Sequence, residues 1–226
     1  MRCSSFNERA RWCLDLSPLS ARYTEDTHPP GLCQFAVQEA TAGVTSGSPL
    51  LLMADGEMYA DSSAVLRGLH ERYPDELQWL YPPGCAKEVR DLEEQIVSSL
   101  GSSSRQLAFS YALDPEHYAL TERYLTRGSS CMEHLLFRCG AGKLITAAIV
   151  ELYNCRMSSV PKARAALVSL FESLSRRLVP GWPLIQKLPF GLSSRTYLVG
   201  GSFSAADLTF AALAWPVILP PEVSDS

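Results

Sequence analysis

Histidine is scarce in this chain of 226 residues: there are four, at His28, His70, His117 and His134, and they are scattered. A zinc centre takes its ligands from Cys and His at short spacing. None of the seven cysteines forms a C-x-x-C pair, so no metal is expected. Positive charge is not in excess. The 20 Lys and Arg are outnumbered by 24 Asp and Glu, giving a net charge of −4. That balance lacks the basic face of a nucleic-acid binder, and no nucleic-acid partner is expected. No apolar run approaches the ~20 residues of a membrane span. Met1-Arg2-Cys3-Ser4-Ser5 turns polar at once, so no secretory signal is expected either. The cysteines (Cys3, Cys13, Cys33, Cys85, Cys131, Cys139 and Cys155) are odd in number in a large, apolar chain. They read as reduced, mostly buried thiols in a reducing compartment and not as a disulfide framework.

What remains is an ordinary globular composition, 46% hydrophobic and 19% charged. The length suits one large domain or two small ones. Phe6, Ala10, Cys13 and Leu16 recur in steps of three and four, a helix from Ser5 ending at Leu16-Ser17-Pro18. A short extended piece is expected at Ser20–Thr24, and a short helix near Cys33–Ala40. Pro49–Met53 reads as a buried strand, Asp55-Gly56 as a hairpin turn and Met58–Ala60 as the return strand. Asp61-Ser62 then caps a helix with Val65, Leu66, Leu69 and Tyr73 on one face.

Strand signals stop after Gly84. Helical patterns run over Ala86–Leu113, Glu116–Arg138 and Lys143–Arg156, with a break at Cys139-Gly140-Ala141-Gly142. Pro161 opens a helix carrying Ala163, Leu167, Leu170, Phe171, Leu174 and Leu178 on one stripe. Gly181–Ser194 reads as a loop, and a last helix starting at Ser204 buries Leu208, Ala211, Ala212 and Trp215. No internal repeat is visible. The chain therefore divides near residue 83: residues 1–83 mix strands and helices, and residues 84–226 are all helical.

Two features carry candidate chemistry, and a third marks the fold. Ser4 stands at the start of the first helix, where free N–H groups and the helix dipole favour an anion. A thiolate held there would have a lowered pKa, and thiolate is the reactive form. A plain N-cap is the alternative reading, and Ser5 is the neighbouring candidate. Ser48-Pro49 precedes the first strand, where a trans proline merely opening the strand is the plain reading and a cis X–Pro bond, of modest cost, is the alternative. Asp61-Ser62 stands at a helix start, where a hydroxyl and an N–H suit a carboxylate; an ordinary cap is again the alternative. A third stretch, Tyr197-Leu198-Val199-Gly200-Gly201-Ser202-Phe203-Ser204-Ala205-Ala206-Asp207, ends in a capping box whose Asp replaces the usual Glu.

Taken together, Ser4 through Trp12, Ser48-Pro49 with Asp61-Ser62, and the Ser204–Asp207 box resemble the cytosolic glutathione S-transferases of a serine-type class. The resemblance covers roughly residues 4–83 and 160–220. It implies a thioredoxin-like N-terminal domain over 1–83 and an all-helical domain over 84–226. It implies Ser4, five positions before Arg9 of Arg-x-Arg, as the catalytic hydroxyl that stabilises the glutathione thiolate. Ser48 would pair its backbone with the cysteinyl part, after a cis bond to Pro49. Asp61 and Ser62 would hold the γ-glutamyl end. Glutathione would be the co-substrate, a small hydrophobic electrophile the second substrate, and detoxification by conjugation the activity, in a cytoplasmic homodimer. Two alternatives stand beside it: a non-catalytic scaffold or dimerisation module of the same fold (or an inactive fragment), and a thiol transferase using Cys3, one place off the Ser4 register.

The ends depart from the family. Only three residues precede Ser4, too few for the family's first strand, and the C-terminus looks short. The sequence therefore reads as truncated at its N-terminus, and at its C-terminus too. Other signals are weaker. Gly140-Ala141-Gly142-Lys143 lacks the first glycine of a phosphate loop and carries Leu144 where Ser or Thr is needed. Lys162, Arg164, Arg176 and Arg177 read as a solvated face. Phe109, Tyr111 and Tyr118 read as core, with a second-substrate pocket as the alternative.

Overall fold

A computed structural model describes residues 4–114, 116–179 and 196–218. Helix α1 spans Ser5–Asp15. Its apolar stripe buries Ala10, Cys13 and Leu14, and it stops where the Ser17 hydroxyl donates to the Leu14 carbonyl at 2.7 Å. Helix α2 spans Leu32–Ala40, with only Cys33 fully buried. Strands β1 (Leu50–Leu52) and β2 (Met58–Ala60) form an antiparallel pair with Leu51 opposite Tyr59. The turn is one residue longer than a two-residue Asp-Gly hairpin. The Met53 N–H bonds to Glu57 O, the Gly56 N–H bonds back to Met53 O, and Gly56 takes φ +89°. This is the three-residue loop in which a final left-handed position favours glycine. Arg72 straps the turn through Asp55 at 2.5 Å and Glu57 at 2.9 Å.

The strand expected at Ser20–Thr24 is not formed. Ser20 and Arg22 donate their N–H groups to Ser17 and Leu19 in successive turns, and Tyr23–Pro29 belongs to no helix or strand. No strand lies beside this segment among the described residues, and a lone extended segment is not self-supporting.

Helix α3 (Ser62–Arg72) buries Val65, Leu66, Gly68 and Leu69. Gly68 meets β2 closely: a Cβ built there falls 2.0 Å from Tyr59 Cε1. Gly68→Ala should therefore lower stability by about 1–3 kcal/mol through overpacking, although alanine is the better helix former by about 1 kcal/mol. Urea unfolding checks the sign.

The helical half begins with one long rod. Helix α4 (Ala86–Ile96) passes through a π-helical turn at Val97–Gly101 into α5 (Ser102–Ala112). The stretch expected as one helix over Glu116–Arg138 is two. Helix α6 (Tyr118–Leu125) ends before Gly128, whose φ is +84°. Ser130 and Glu133 then form a capping box that starts α7 (Cys131–Leu136). The expected break at Gly140 is a kink, φ +123°, inside a second π turn before α8 (Gly142–Tyr153). Helix α9 (Val160–Leu178) opens with Pro161 and buries Ala163, Leu167, Leu170 and Leu174. Helix α10 (Ala205–Ile218) buries Leu208 and Ala212, while Ala211 and Trp215 are half-buried. The loop expected at Gly181–Ser194 lies outside the described residues. Among the described residues no helix is long and apolar enough to cross a membrane.

Asp207 organises the entry to α10. Its carboxylate accepts the Leu198 N–H at 2.8 Å, the Ser204 N–H at 3.0 Å and the Ser204 hydroxyl at 2.8 Å. The Ala205 N–H bonds to the Leu80 carbonyl at 2.9 Å, which fixes α10 to the segment after α3. One core runs through both halves. Ala10, Cys13, Val65, Leu66 and Leu69 pack in the same cluster as Val89, Leu92, Ile96, Leu208 and Leu213.

Candidate functional site

Ser4 is the N-cap of α1. Its backbone is extended (φ −87°, ψ 120°), and its Oγ accepts the Asn7 N–H at 3.4 Å. Accepting leaves the hydroxyl proton to be donated elsewhere, because a serine side chain is at once donor and acceptor. Ser4 is half-buried and Ser5 is buried.

Pro49 follows Ser48 through a cis peptide bond, and Ser48 is exposed. The Asp61 N–H donates to the Pro49 carbonyl at 2.9 Å, so the Ser48-Pro49 and Asp61-Ser62 pairs are brought together by the end of the β1–β2 ladder. Asp61 takes φ +75° and caps α3, its Oδ1 accepting from the Ser63 and Ala64 N–H groups at 2.7 and 2.9 Å. These cap bonds satisfy the second and third N–H groups of the helix. The Ser62 hydroxyl points inward. Ser62 is 2% exposed, and its Oγ accepts from Arg9 at 3.1 Å.

Arg9 is the residue that sequence reasoning passed over. It has no exposed surface. Its guanidinium donates to Ser62, to Ser63 at 2.8 Å, to Thr209 of α10 at 2.9 Å and to the Glu93 carboxylate of α4. Tyr81 completes the group with a bond to the other Glu93 oxygen at 2.8 Å. Burial pulls the Arg9 pKa down from its ordinary value, against the opposing pull of Glu93. Burial, then the Glu93 charge, pushes the Tyr81 phenol up. A sequence signal for this was present: Arg9 lies one turn before Cys13 and one turn after Ser5, on the inward face of α1.

A cavity of about 880 Å³ opens between α1, α2, α3 and β1. Of the predicted residues it is lined by Ser48 and Pro49; Ser4, Asp61 and Ser62 lie outside its lining. Its rim includes His28, which bonds Glu133 of α7 at 2.6 Å and Asp26 at 3.2 Å. Burial opposes ionisation of Glu133, but the bonds from His28 and Ser130 outweigh it and hold that carboxyl below its ordinary range. Tyr111 is exposed, Phe109 and Tyr118 are half-buried, and none of the three lines this cavity.

The described cysteines are free thiols. Cys13, Cys33 and Cys155 are buried, Cys85 is half-buried, and Cys131 and Cys139 are exposed. Burial pushes the Cys13 thiol up to about 12 and raises Cys33 and Cys155 as well. Thiols raised in this way are inert. Cys3 lies outside the described residues. No cluster of His, Cys, Asp or Glu suited to a metal ion occurs among the described residues.

No protein-family model matches the sequence, and no curated protein matches it. Among solved structures it is similar to a glutathione S-transferase of Ceriporiopsis subvermispora in complex with glutathione. The TM-score is 0.53 and the identity 14%, over 98% of this chain and 83% of that one. The fold is thus that of a glutathione S-transferase: a thioredoxin-type N-terminal part with a small sheet, followed by a helical C-terminal part.

Proposed function

We propose that the chain is a glutathione S-transferase of the serine type, conjugating the glutathione thiolate to small hydrophobic electrophiles. The observation that carries this reading is Ser4 at the head of α1, half-buried, its Oγ accepting the Asn7 N–H at 3.4 Å. In this reading the thiolate lies beside the Ser4 hydroxyl and the first turn of α1. The Ser48 backbone pairs with the cysteinyl residue after the cis bond to Pro49, and the Ser62 N–H meets the γ-glutamyl carboxylate. The solved neighbour's complex with glutathione supports the ligand class. Residues 1–83 are taken as the glutathione-binding domain and residues 84–226 as the helical domain, in a cytoplasmic homodimer.

The thiolate gains most from donors already aimed at it, since a preorganised donor needs no reorganisation at the moment of reaction. Ser4→Ala should cut turnover of a chlorodinitrobenzene about 10²-fold, the cost of one such donor. Retention on a glutathione matrix should change much less. An unaltered rate would take Ser4 out of the mechanism.

A second reading has its own support. One oxygen of the Asp61 carboxylate is taken up by the α3 cap, and the Ser62 hydroxyl oxygen accepts from Arg9. A scaffold of this fold, or an inactive fragment, needs no more from them. Loss of both matrix retention and turnover in the wild-type chain would establish that alternative. A thiol transferase would instead show reduction of a mixed disulfide that Cys3→Ala abolishes.

A further inference from the structure

We propose that Arg9 is a positioning residue for glutathione: held by Glu93 and Thr209 of the helical half, it sets the first turn of α3 and so aims the Ser62 N–H at the γ-glutamyl carboxylate. This role rests on the glutathione reading above and extends it to residues of α4 and α10. A guanidinium carries donors only. The Ser62 and Ser63 hydroxyl oxygens therefore both accept from Arg9, and both from the same nitrogen, Nη1, at 3.1 and 2.8 Å. The side chains of the first two residues of α3 are thus gathered on one atom. The other edges of the fork belong to the helical half. Nη2 donates to Glu93 of α4, and Nε donates to Thr209 Oγ1 of α10 at 2.9 Å. The Tyr81 hydroxyl holds the second Glu93 oxygen at 2.8 Å.

Every nitrogen of the guanidinium is engaged, so the orientation of its rigid plane is fixed. Arg9 and Thr209 have no exposed surface, and Glu93 and Tyr81 are each 3% exposed. A partner lost here is not replaced by bulk water. Capping does not explain the arrangement, because Asp61 already takes the Ser63 and Ala64 N–H groups. Cohesion alone does not explain it either, since a buried ion pair replaced by apolar groups of similar size is often as stable. What a satisfied polar group adds is a single direction. Here that direction is imposed on the start of α3. A binding group has to be held within about 0.5 Å of its productive place, and a turn tethered through two adjacent side chains meets that demand. The grip on the γ-glutamyl end is thereby set by α4 and α10, which do not touch the ligand in the reading above.

The test is calorimetric titration of the full chain with two peptides, glutathione and γ-aminobutyryl-cysteinylglycine, which is the same molecule without the γ-glutamyl carboxylate. The wild-type chain should bind glutathione the more tightly. Thr209→Val removes the acceptor from Arg9 Nε and keeps the shape of the side chain. It should weaken glutathione about tenfold, the loss of one hydrogen bond to a charged group, and leave the affinity for the shorter peptide unchanged. Thr209→Ser restores the hydroxyl and should bind glutathione as the wild type does. Tyr81→Phe should act in the same direction as Thr209→Val and by less, and it carries the test under the same criteria if Thr209→Val does not fold by circular dichroism. Equal weakening of both peptides would assign Arg9 a purely structural role and overturn the proposal. So would an unaltered affinity for glutathione. A wild-type chain that binds neither peptide, or both alike, would overturn the γ-glutamyl reading and the role of Arg9 with it. That result is read on the wild type alone, so the two failures are distinct.

Discussion

Arg9→Met should lower the free energy of unfolding by about 3–5 kcal/mol, the effect of removing one partner from a buried ion pair. The loss is not the value of the Arg9–Glu93 bond itself. It is the cost of leaving the Glu93 carboxylate, 3% exposed, without its cation inside the protein. The same reasoning predicts that Glu93→Leu, added to Arg9→Met, restores much of the stability, because a buried pair replaced by apolar groups of similar size is often neutral. A four-variant cycle by urea denaturation checks both. An additive cycle, with the double variant as unstable as the sum of the singles, would show that the two groups are not coupled. Arg9 joins α1, α3, α4 and α10, so its removal should also loosen the Ser62 end of α3, seen as faster amide exchange there.

Asp207→Ala is the second large effect. One carboxylate holds two backbone N–H groups and the Ser204 hydroxyl, and it ties Leu198 to the first turn of α10. Loss of a cap costs about 0.5–2 kcal/mol, and a hydrogen bond to a charged group is worth about 1.5–3 kcal/mol. A total near 3 kcal/mol is expected, with a lower urea midpoint and an unchanged slope. Asp207→Asn keeps one acceptor and should fall between the two. If Asp207→Ala unfolds at the wild-type midpoint, the box does not anchor α10.

The elements with local signals were legible from the residues themselves. The Phe6, Ala10, Cys13 spacing places α1, the Asp55-Gly56 turn places the hairpin, and Asp61 marks the start of α3. Pro161 and the Ser204–Asp207 box mark α9 and α10. Each depends on residues within a few positions of one another. The Arg9 group was not legible in this way, because its partners sit at 62, 63, 93 and 209 and meet only after the halves pack. Ser20–Thr24 failed for the opposite reason: a strand's existence depends on a neighbour, and its own residues cannot supply one. At the candidate site, the capping roles of Ser4 and Asp61 were readable as alternatives, whereas the inward turn of the Ser62 hydroxyl depends on Arg9 and was not.

The π turn at Val97–Gly101 has a consequence for how the long rod tolerates change. A helix turns about 100° per residue, so one surplus residue in that turn resets the angular phase of everything after it. Before it the rod presents Val89, Leu92 and Ile96 to the shared interior, and after it the sheltered positions are Ser103, Ser104 and Ser110. Gly101 sits at the joint, where an added Cβ would come within 2.7 Å of the Phe6 ring. A single-residue deletion there would straighten the rod yet swing its second half out of step with its neighbours. Substitutions on either side are therefore easier to absorb than any change in the number of residues between them.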